Sequence, residues 1–322
     1  MNKLISLIFL LFVLISCNNS NKSGKQNSEV SGDLIIFHAG SLSVPLQEVV
    51  DSFNIQYPEV NILMESAGSL ACARKITDLN KDCDIIAVAD YKVIDNMLIP
   101  KFASWNIKFV TNEMAIVYTD KSKYSNEINP ENWYEILLRQ DVNYGRSDPN
   151  SDPCGYRAIL TMKLSEIYYN QIDLTSKFLQ KNEEMIRPKE VDLIALLETN
   201  NVDYIFLYRS VAEQHNLKYL ILPDSINLKS NELSDFYSQV SVEVADEDPT
   251  KTQNMYGEPM IYGISIPINS PNKKVAEIFI DFLLNSENGM KILEKNGQPS
   301  VIPSKTDNFD SIPELLKKYI LQ

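Results

Sequence analysis

One tetrapeptide constrains this chain more than any other feature: Ala-Gly-Ser-Leu occurs twice, at 39–42 and 67–70. Each copy follows a short apolar run and precedes a helical pattern. Leu34-Ile35-Ile36-Phe37 suits a buried parallel strand. Leu42, Leu46, Val49, Val50 and Phe53 then recur at helical spacing, with Pro45 in the first turn, where proline is tolerated. Val60 to Met64 reads as a second strand, Ala71 to Leu79 as a helix, and Asp84 to Val88 as a third strand. This βαβαβ order predicts an open parallel sheet with helices on its faces. At each copy glycine is expected to allow a tight turn and serine to cap the helix. Unpaired backbone N–H groups and the positive end of the helix dipole then point outward from the carboxyl edge of the sheet. Two such ends side by side, each with a hydroxyl, predict an anion site. The alternative is two well-capped helices without a ligand.

A third helix start has the same chemistry. Ser151 to Arg157 precedes a helix carrying Ile159, Leu160, Met162, Leu164 and Ile167. Asp152 suits the N-cap and Pro153 the first helical position. A further possible cap is Ser286, opening a helix that ends near Asn296-Gly297, and it needs no ligand role.

The beginning of the chain reads differently. Met1-Asn2-Lys3 is a short basic start, and Leu4 to Ser16 is apolar apart from two serines. That length fits a signal-peptide core, whereas a membrane span needs roughly 20 residues. Leu14-Ile15-Ser16-Cys17 resembles the lipobox of bacterial lipoproteins, which makes 1–16 a signal peptide and Cys17 the lipidated residue. Residues 17–32 then form a polar tether. The domain is expected to be exported and held at a bacterial membrane by lipid alone, facing the periplasm or the exterior.

Charge and composition exclude other classes. Thirty Lys and Arg stand against 43 Asp and Glu, a formal charge of −13, which argues against nucleic acid as a partner. A small anion site remains compatible, because local dipoles govern it. Beyond Cys17 there are Cys72, Cys83 and Cys154, an odd number that cannot all pair within the chain. His38 and His215 are the only histidines and leave little material for His-based catalysis or metal binding. There is no Gly-x-Ser-x-Gly elbow and no His-Glu-x-x-His. A binding protein without cofactor is therefore expected, rather than a hydrolase. A surface interaction protein with no small ligand is a further alternative.

The segment Phe37 to Pro45 resembles the opening of the molybdate/tungstate-binding lipoproteins of ABC importers, in their tungstate-type (archaeal-type) branch. The resemblance continues through Ala67-Gly68-Ser69, Arg74 to Leu79, Val88 to Tyr91, Asp152 to Arg157, Tyr208 to Ala212 with Gln214-His215, Ile226 to Leu228, and Asp235 to Tyr237. It implies a type II periplasmic-binding-protein fold, α/β, with two open-sheet lobes joined by a two-crossing hinge and the ligand in the cleft. The first crossing is expected near 111–114 and the return near 264–267. The first lobe is then 33–113 plus 268–322, and the second 114–267.

Carried over by motif, the resemblance implies a ligand site of Gly40, Ser41, Ser69, Asp152, Pro153, Cys154, Glu190 and Tyr208. Because Pro153 lacks an N–H, that corner is expected to donate through Cys154 or Gly155. Asp152 and Glu190 would approach the metal centre of the bound ion and expand its oxygen coordination, which gives selectivity over sulfate. A protonated carboxyl donating to the oxyanion is the competing account. The segment 181–189 looks shorter than in the family, and Asp192 is the nearest alternative carboxylate to Glu190. Function by resemblance is high-affinity capture of tungstate or molybdate for an ABC permease and its ATPase, by a monomer. Sulfate or phosphate on the same fold is the alternative.

Overall fold

The computed structural model describes residues 30–245 and 251–321. The expected signal peptide, Cys17 and most of the expected tether lie outside the described residues.

The first sheet opens with β1 (Gly32–Ala39), followed by α1 (Ser43–Gln56), β2 (Val60–Ala67), α2 (Ser69–Thr77) and β3 (Ile85–Val88). β1 pairs in parallel with both β2 and β3, as the βαβαβ order predicts. All four residues of β3 are buried, so its uninterrupted apolar run fits a strand covered on both faces. α2 begins and ends two residues earlier than the expected 71–79. α3 (Tyr91–Met97) leads to β4 (Ile107–Thr111).

After Asn112 and Glu113 the chain enters a second sheet at β5 (Met114–Tyr118). It continues through α4 (Trp133–Leu137), β6 (Tyr144–Ser147), α5 (Pro153–Tyr168), α6 (Leu174–Leu179) and β7 (Ile186–Arg187). Next come α7 (Asp192–Glu198), β8 (Tyr204–Tyr208), α8 (Arg209–Gln214) and β9 (Lys218–Ile221). The strand order is β7-β6-β8-β5-β9. Two short helices, α9 (Asp224–Asn227) and α10 (Ser234–Tyr237), then precede the hairpin β10 (Ser241–Ala245) and β11 (Thr252–Tyr256).

β12 (Ile261–Ser265) returns to the first sheet, where it runs antiparallel between β3 and β4. The return crossing therefore falls before Ile261, not at 264–267. The apolar run there reads equally well as the last strand of either lobe, and only its pairing with Val88 and Thr111 assigns it. α11 (Lys273–Leu284) and α12 (Gly289–Lys295) complete the first lobe. Ser286 caps neither: it lies in the turn before Asn288, which precedes α12.

Each lobe has its own aromatic centre. In the first, Phe53 stacks on Tyr57 at 4.5 Å and meets Phe279 and Phe282 edge-on, pinning α1 to α11. In the second, Trp133 stacks on Phe178 at 5.6 Å and meets Phe206 edge-on. Such ring pairs add about 1 kcal/mol each beyond the area they bury. Cys72 and Cys83 are free, buried thiols that donate to the backbone carbonyls of His38 and Ile85. Burial pushes the Cys72 thiol up to about 12, so it stays protonated.

Candidate functional site

The two tetrapeptide copies both start helices, but not as capping theory predicts. The residues before the first turns, Ala39 and Gly68, are extended (φ −61°, ψ 149° and φ −60°, ψ 144°) and lack side-chain caps. Ser41 and Ser69 lie inside the first turns, where neither hydroxyl caps its helix. Nor do the glycines need a positive φ. Both are required by close approach to the second lobe. A Cβ on Gly40 would lie 2.9 Å from Glu190 Oε2, and one on Gly68 would lie 2.2 Å from the Ser151 carbonyl oxygen.

The carboxylates come from the second lobe. Asp152 caps α5, its Oδ1 accepting the Cys154 N–H at 3.3 Å, with Pro153 in the first turn as expected. Glu190 lies two residues before α7, and its Oε1 accepts the Ser41 N–H at 2.5 Å across the cleft. Helix starts thus attract an anion here, and it is a side chain of the opposite lobe. Both acids are fully buried, and outside the pair Asp152 Oδ2 and Glu190 Oε2 have no hydrogen-bond partner.

The two carboxyls act on each other as a hydrogen-bonded pair. Burial, then the charge of Glu190, push the Asp152 carboxyl well above its usual range. Burial also raises Glu190, while bonds from Asp152 and the Ser41 N–H favour its charged form. Burial therefore holds a proton on the pair rather than leaving two charges side by side. Asp192 is not an alternative, because it faces Lys189 at 3.7 Å with its side chain 38% exposed. Cys154 and Gly155 offer no spare backbone donor: their N–H groups bond to Asp152 Oδ1 and Asp152 O. The Cys154 thiol donates to the Phe206 carbonyl.

Three hydroxyls have their acceptor side occupied. Ser69 Oγ accepts the Ala89 N–H at 3.0 Å. Tyr208 Oη accepts Arg157 Nη1 at 3.1 Å. Ser41 Oγ accepts the Tyr262 hydroxyl at 2.9 Å, and Tyr262 in turn accepts Asn112 Nδ2 at 3.0 Å. The Asn112 amide is oriented because its Oδ1 accepts the Glu113 N–H. A hydroxyl that accepts from a fixed donor keeps its own proton for another acceptor. Ser41, Ser69 and Tyr208 are all buried, so bulk water is not the acceptor for these protons.

The structure thus gathers Gly40, Ser41, Asp152 and Glu190 at one point, joins Cys154 to Asp152, and brings Ser69 and Tyr208 to the Ala89–Arg157 linkage beside it. Sequence reasoning missed Tyr262 and Asn112, which flank the two lobe crossings, and gave Arg157 no role. A tyrosine at the centre of an apolar strand carries no local signal of the bond it makes. Among the described residues, no three His, Cys, Asp or Glu side chains converge to hold a metal ion.

Two α/β lobes, crossed by the chain twice and closed over buried donors and carboxyls, define a cleft-binding protein of the type II periplasmic class. The chain matches the family described as bacterial extracellular solute-binding protein over residues 34–298, and it belongs to that family. It is 39% identical over 341 residues to the molybdate/tungstate-binding protein WtpA of Pyrococcus abyssi, covering 97% of this chain and 96% of the relative. An uncharacterized solute-binding protein of Petrotoga mobilis is 47% identical over 294 residues, 91% of either chain. The periplasmic molybdate-binding protein of Azotobacter vinelandii superposes with a TM-score of 0.60 at 14% identity, covering 82% of this chain and 98% of that one. The Mycobacterium tuberculosis sulfate-binding protein SubI reaches the same score at 13% identity, covering 84% and 87%. At such low identity these two show the fold alone, and that fold is the one the resemblance implied. Among the described residues no helix is long and apolar enough to cross a membrane.

Proposed function

We propose that this protein captures tungstate or molybdate outside the cytoplasm and delivers it to an ABC permease and its ATPase. The observation that carries the reading is the buried pair of Asp152 and Glu190, each with one oxygen that has no partner outside the pair, next to the oriented Ser41 hydroxyl. A tetrahedral oxyanion accepts the hydroxyl protons. Two carboxylate oxygens would repel an inert sulfate in a low-dielectric cleft. A hard, high-valent metal centre instead accepts them as additional oxygen ligands. The names of the WtpA relatives support the same cargo.

Within this reading Gly40, Ser41, Ser69, Asp152, Pro153, Cys154, Glu190 and Tyr208 form the site, with Asp152 and Glu190 on the metal centre of the cargo. Ligand held between the lobes favours closure about the crossings at 112–113 and 257–260. The protein acts as a carrier rather than an enzyme and works as a monomer. It is tethered through a lipid on Cys17 after removal of 1–16. Calorimetric titration with tungstate, molybdate, sulfate and phosphate tests the cargo. Binding of the first two alone is expected, and tight sulfate or phosphate binding would remove the metal-ligation argument.

A further inference from the structure

Arg157, in the second turn of α5, is almost fully buried, with 3% of its side chain exposed. Its guanidinium joins three groups. Nη2 pairs with Asp90 Oδ2 at 3.1 Å, and Nη1 donates to the Ala89 carbonyl at 2.6 Å and to Tyr208 Oη at 3.1 Å. Tyr208 belongs to the lobe of Arg157, while Ala89 and Asp90 belong to the other. Asp90 is itself held: Oδ1 caps α3 through the Lys92 N–H, and Oδ2 also accepts the Tyr156 hydroxyl at 2.6 Å. The Ala89 N–H meanwhile bonds to Ser69.

Opening the cleft breaks every bond between Arg157 and the first lobe. A buried ion pair gains little net energy, because desolvation offsets attraction, so this pair is poorly suited to clamping empty lobes together. A planar guanidinium held at several points is well suited to fixing a geometry. We infer that Arg157 is a positioning residue: clamped by Asp90 and the Ala89 carbonyl on closure, it occupies the acceptor side of Tyr208 and turns the tyrosine proton toward the bound oxyanion. Tyr208 then becomes an oriented donor only in the closed form. Asp90, whose side chain bonds to Lys92, Tyr156 and Arg157 rather than to the ligand groups described above, thereby sets ligand affinity through two intermediaries.

The inference rests on the oxyanion reading, and its test separates the two. Tungstate affinity is measured by calorimetry on the intact protein for wild type, Asp90→Asn, Tyr208→Phe and the double variant. Asparagine keeps the helix cap and removes the charge. Asp90→Asn is expected to weaken binding about tenfold, the scale of one charge-assisted hydrogen bond. In the Tyr208→Phe background the same change is expected to have almost no further effect, because the hydroxyl it orients is gone. Losses that multiply in the double variant, or no loss in Asp90→Asn, overturn the inference. Tyr156→Phe loosens Asp90 without altering any charge and supports the same cycle if Asp90→Asn folds poorly. Arg157→Lys keeps the charge but not the planar fork, and wild-type affinity in that variant also overturns the inference. A wild-type protein that binds no tungstate refutes the functional reading itself.

Discussion

The two Ala-Gly-Ser-Leu copies have one sequence and two different environments. At 39–42 the turn is a short 3-10 helix whose serine N–H meets Glu190 and whose hydroxyl is held by Tyr262. At 67–70 the α-helix begins at once, the glycine abuts the Ser151 backbone, and the hydroxyl is held by the Ala89 N–H. The first copy faces a side chain that can move, the second a backbone that cannot. Identical local chemistry therefore serves two tasks, gripping the carboxylate side of the site and setting how closely the lobes approach.

The largest expected effect comes from breaking that approach. Gly68→Ala places a methyl 2.2 Å from a backbone oxygen, so closure should fail. Tungstate affinity is expected to fall about a hundredfold or more by calorimetry, with little change in the thermal midpoint of the ligand-free protein. Gly40→Ala meets only the end of the Glu190 side chain, and a loss of about tenfold is expected. Equal losses at the two glycines would show that the two copies set lobe approach alike.

A second contrast concerns rescue. Ser41→Ala and Ser69→Ala each leave a buried donor unpaired and should cost about 1–3 kcal/mol of stability in chemical denaturation. Adding Tyr262→Phe should recover most of the loss in Ser41→Ala, because the orphaned donor is then removed and Asn112 keeps its bond to Ser210. No side-chain change can do this for Ser69→Ala, where the donor is the Ala89 backbone.

The smallest expected effect is on pH dependence. The carboxyls of Asp152 and Glu190 both sit above their ordinary values of 3.8 and 4.5. Raised values favour the protonated pair, so the ligand-free closed form loses stability as pH rises through them. A metal centre that uses both carboxylates must displace the shared proton. Affinity should then fall as pH drops from the raised values toward the ordinary ones, by at most about tenfold per unit for one proton. Calorimetry in buffers of different ionisation enthalpy should record proton release. Affinity that rises on acidification would favour a protonated carboxyl donating to the oxyanion.

Much of the architecture was legible because it is locally encoded. The strand of four buried residues at Ile85–Val88, the spacing of Leu46, Val49 and Phe53, and the Asp152-Pro153 helix start each declare themselves within a few residues. The pairing of Asp152 with Glu190 entered through family resemblance, since spacing alone shows only an acid before each helix. Two differences between sequence and structure share one physical cause. Local rules supply a local partner, so they make each serine a helix cap and place β12 at the end of the second lobe. The actual partners are distant: Tyr262 lies 221 residues from Ser41, and β12 pairs with a strand of the opening sheet.

The amino-acid sequence by itself determined the alternation of strands and helices, the chemistry of the three helix starts and the net negative charge. These follow from periodicity, turn residues and charge, which need no long-range contact. Only the tertiary structure decided that both glycines are contact points, that Glu190 answers Ser41, and that Arg157 links the lobes through Asp90. Those facts arise when two lobes close. A hydroxyl or carboxyl is satisfied by whichever buried group arrives there, and chain spacing does not record which one that is.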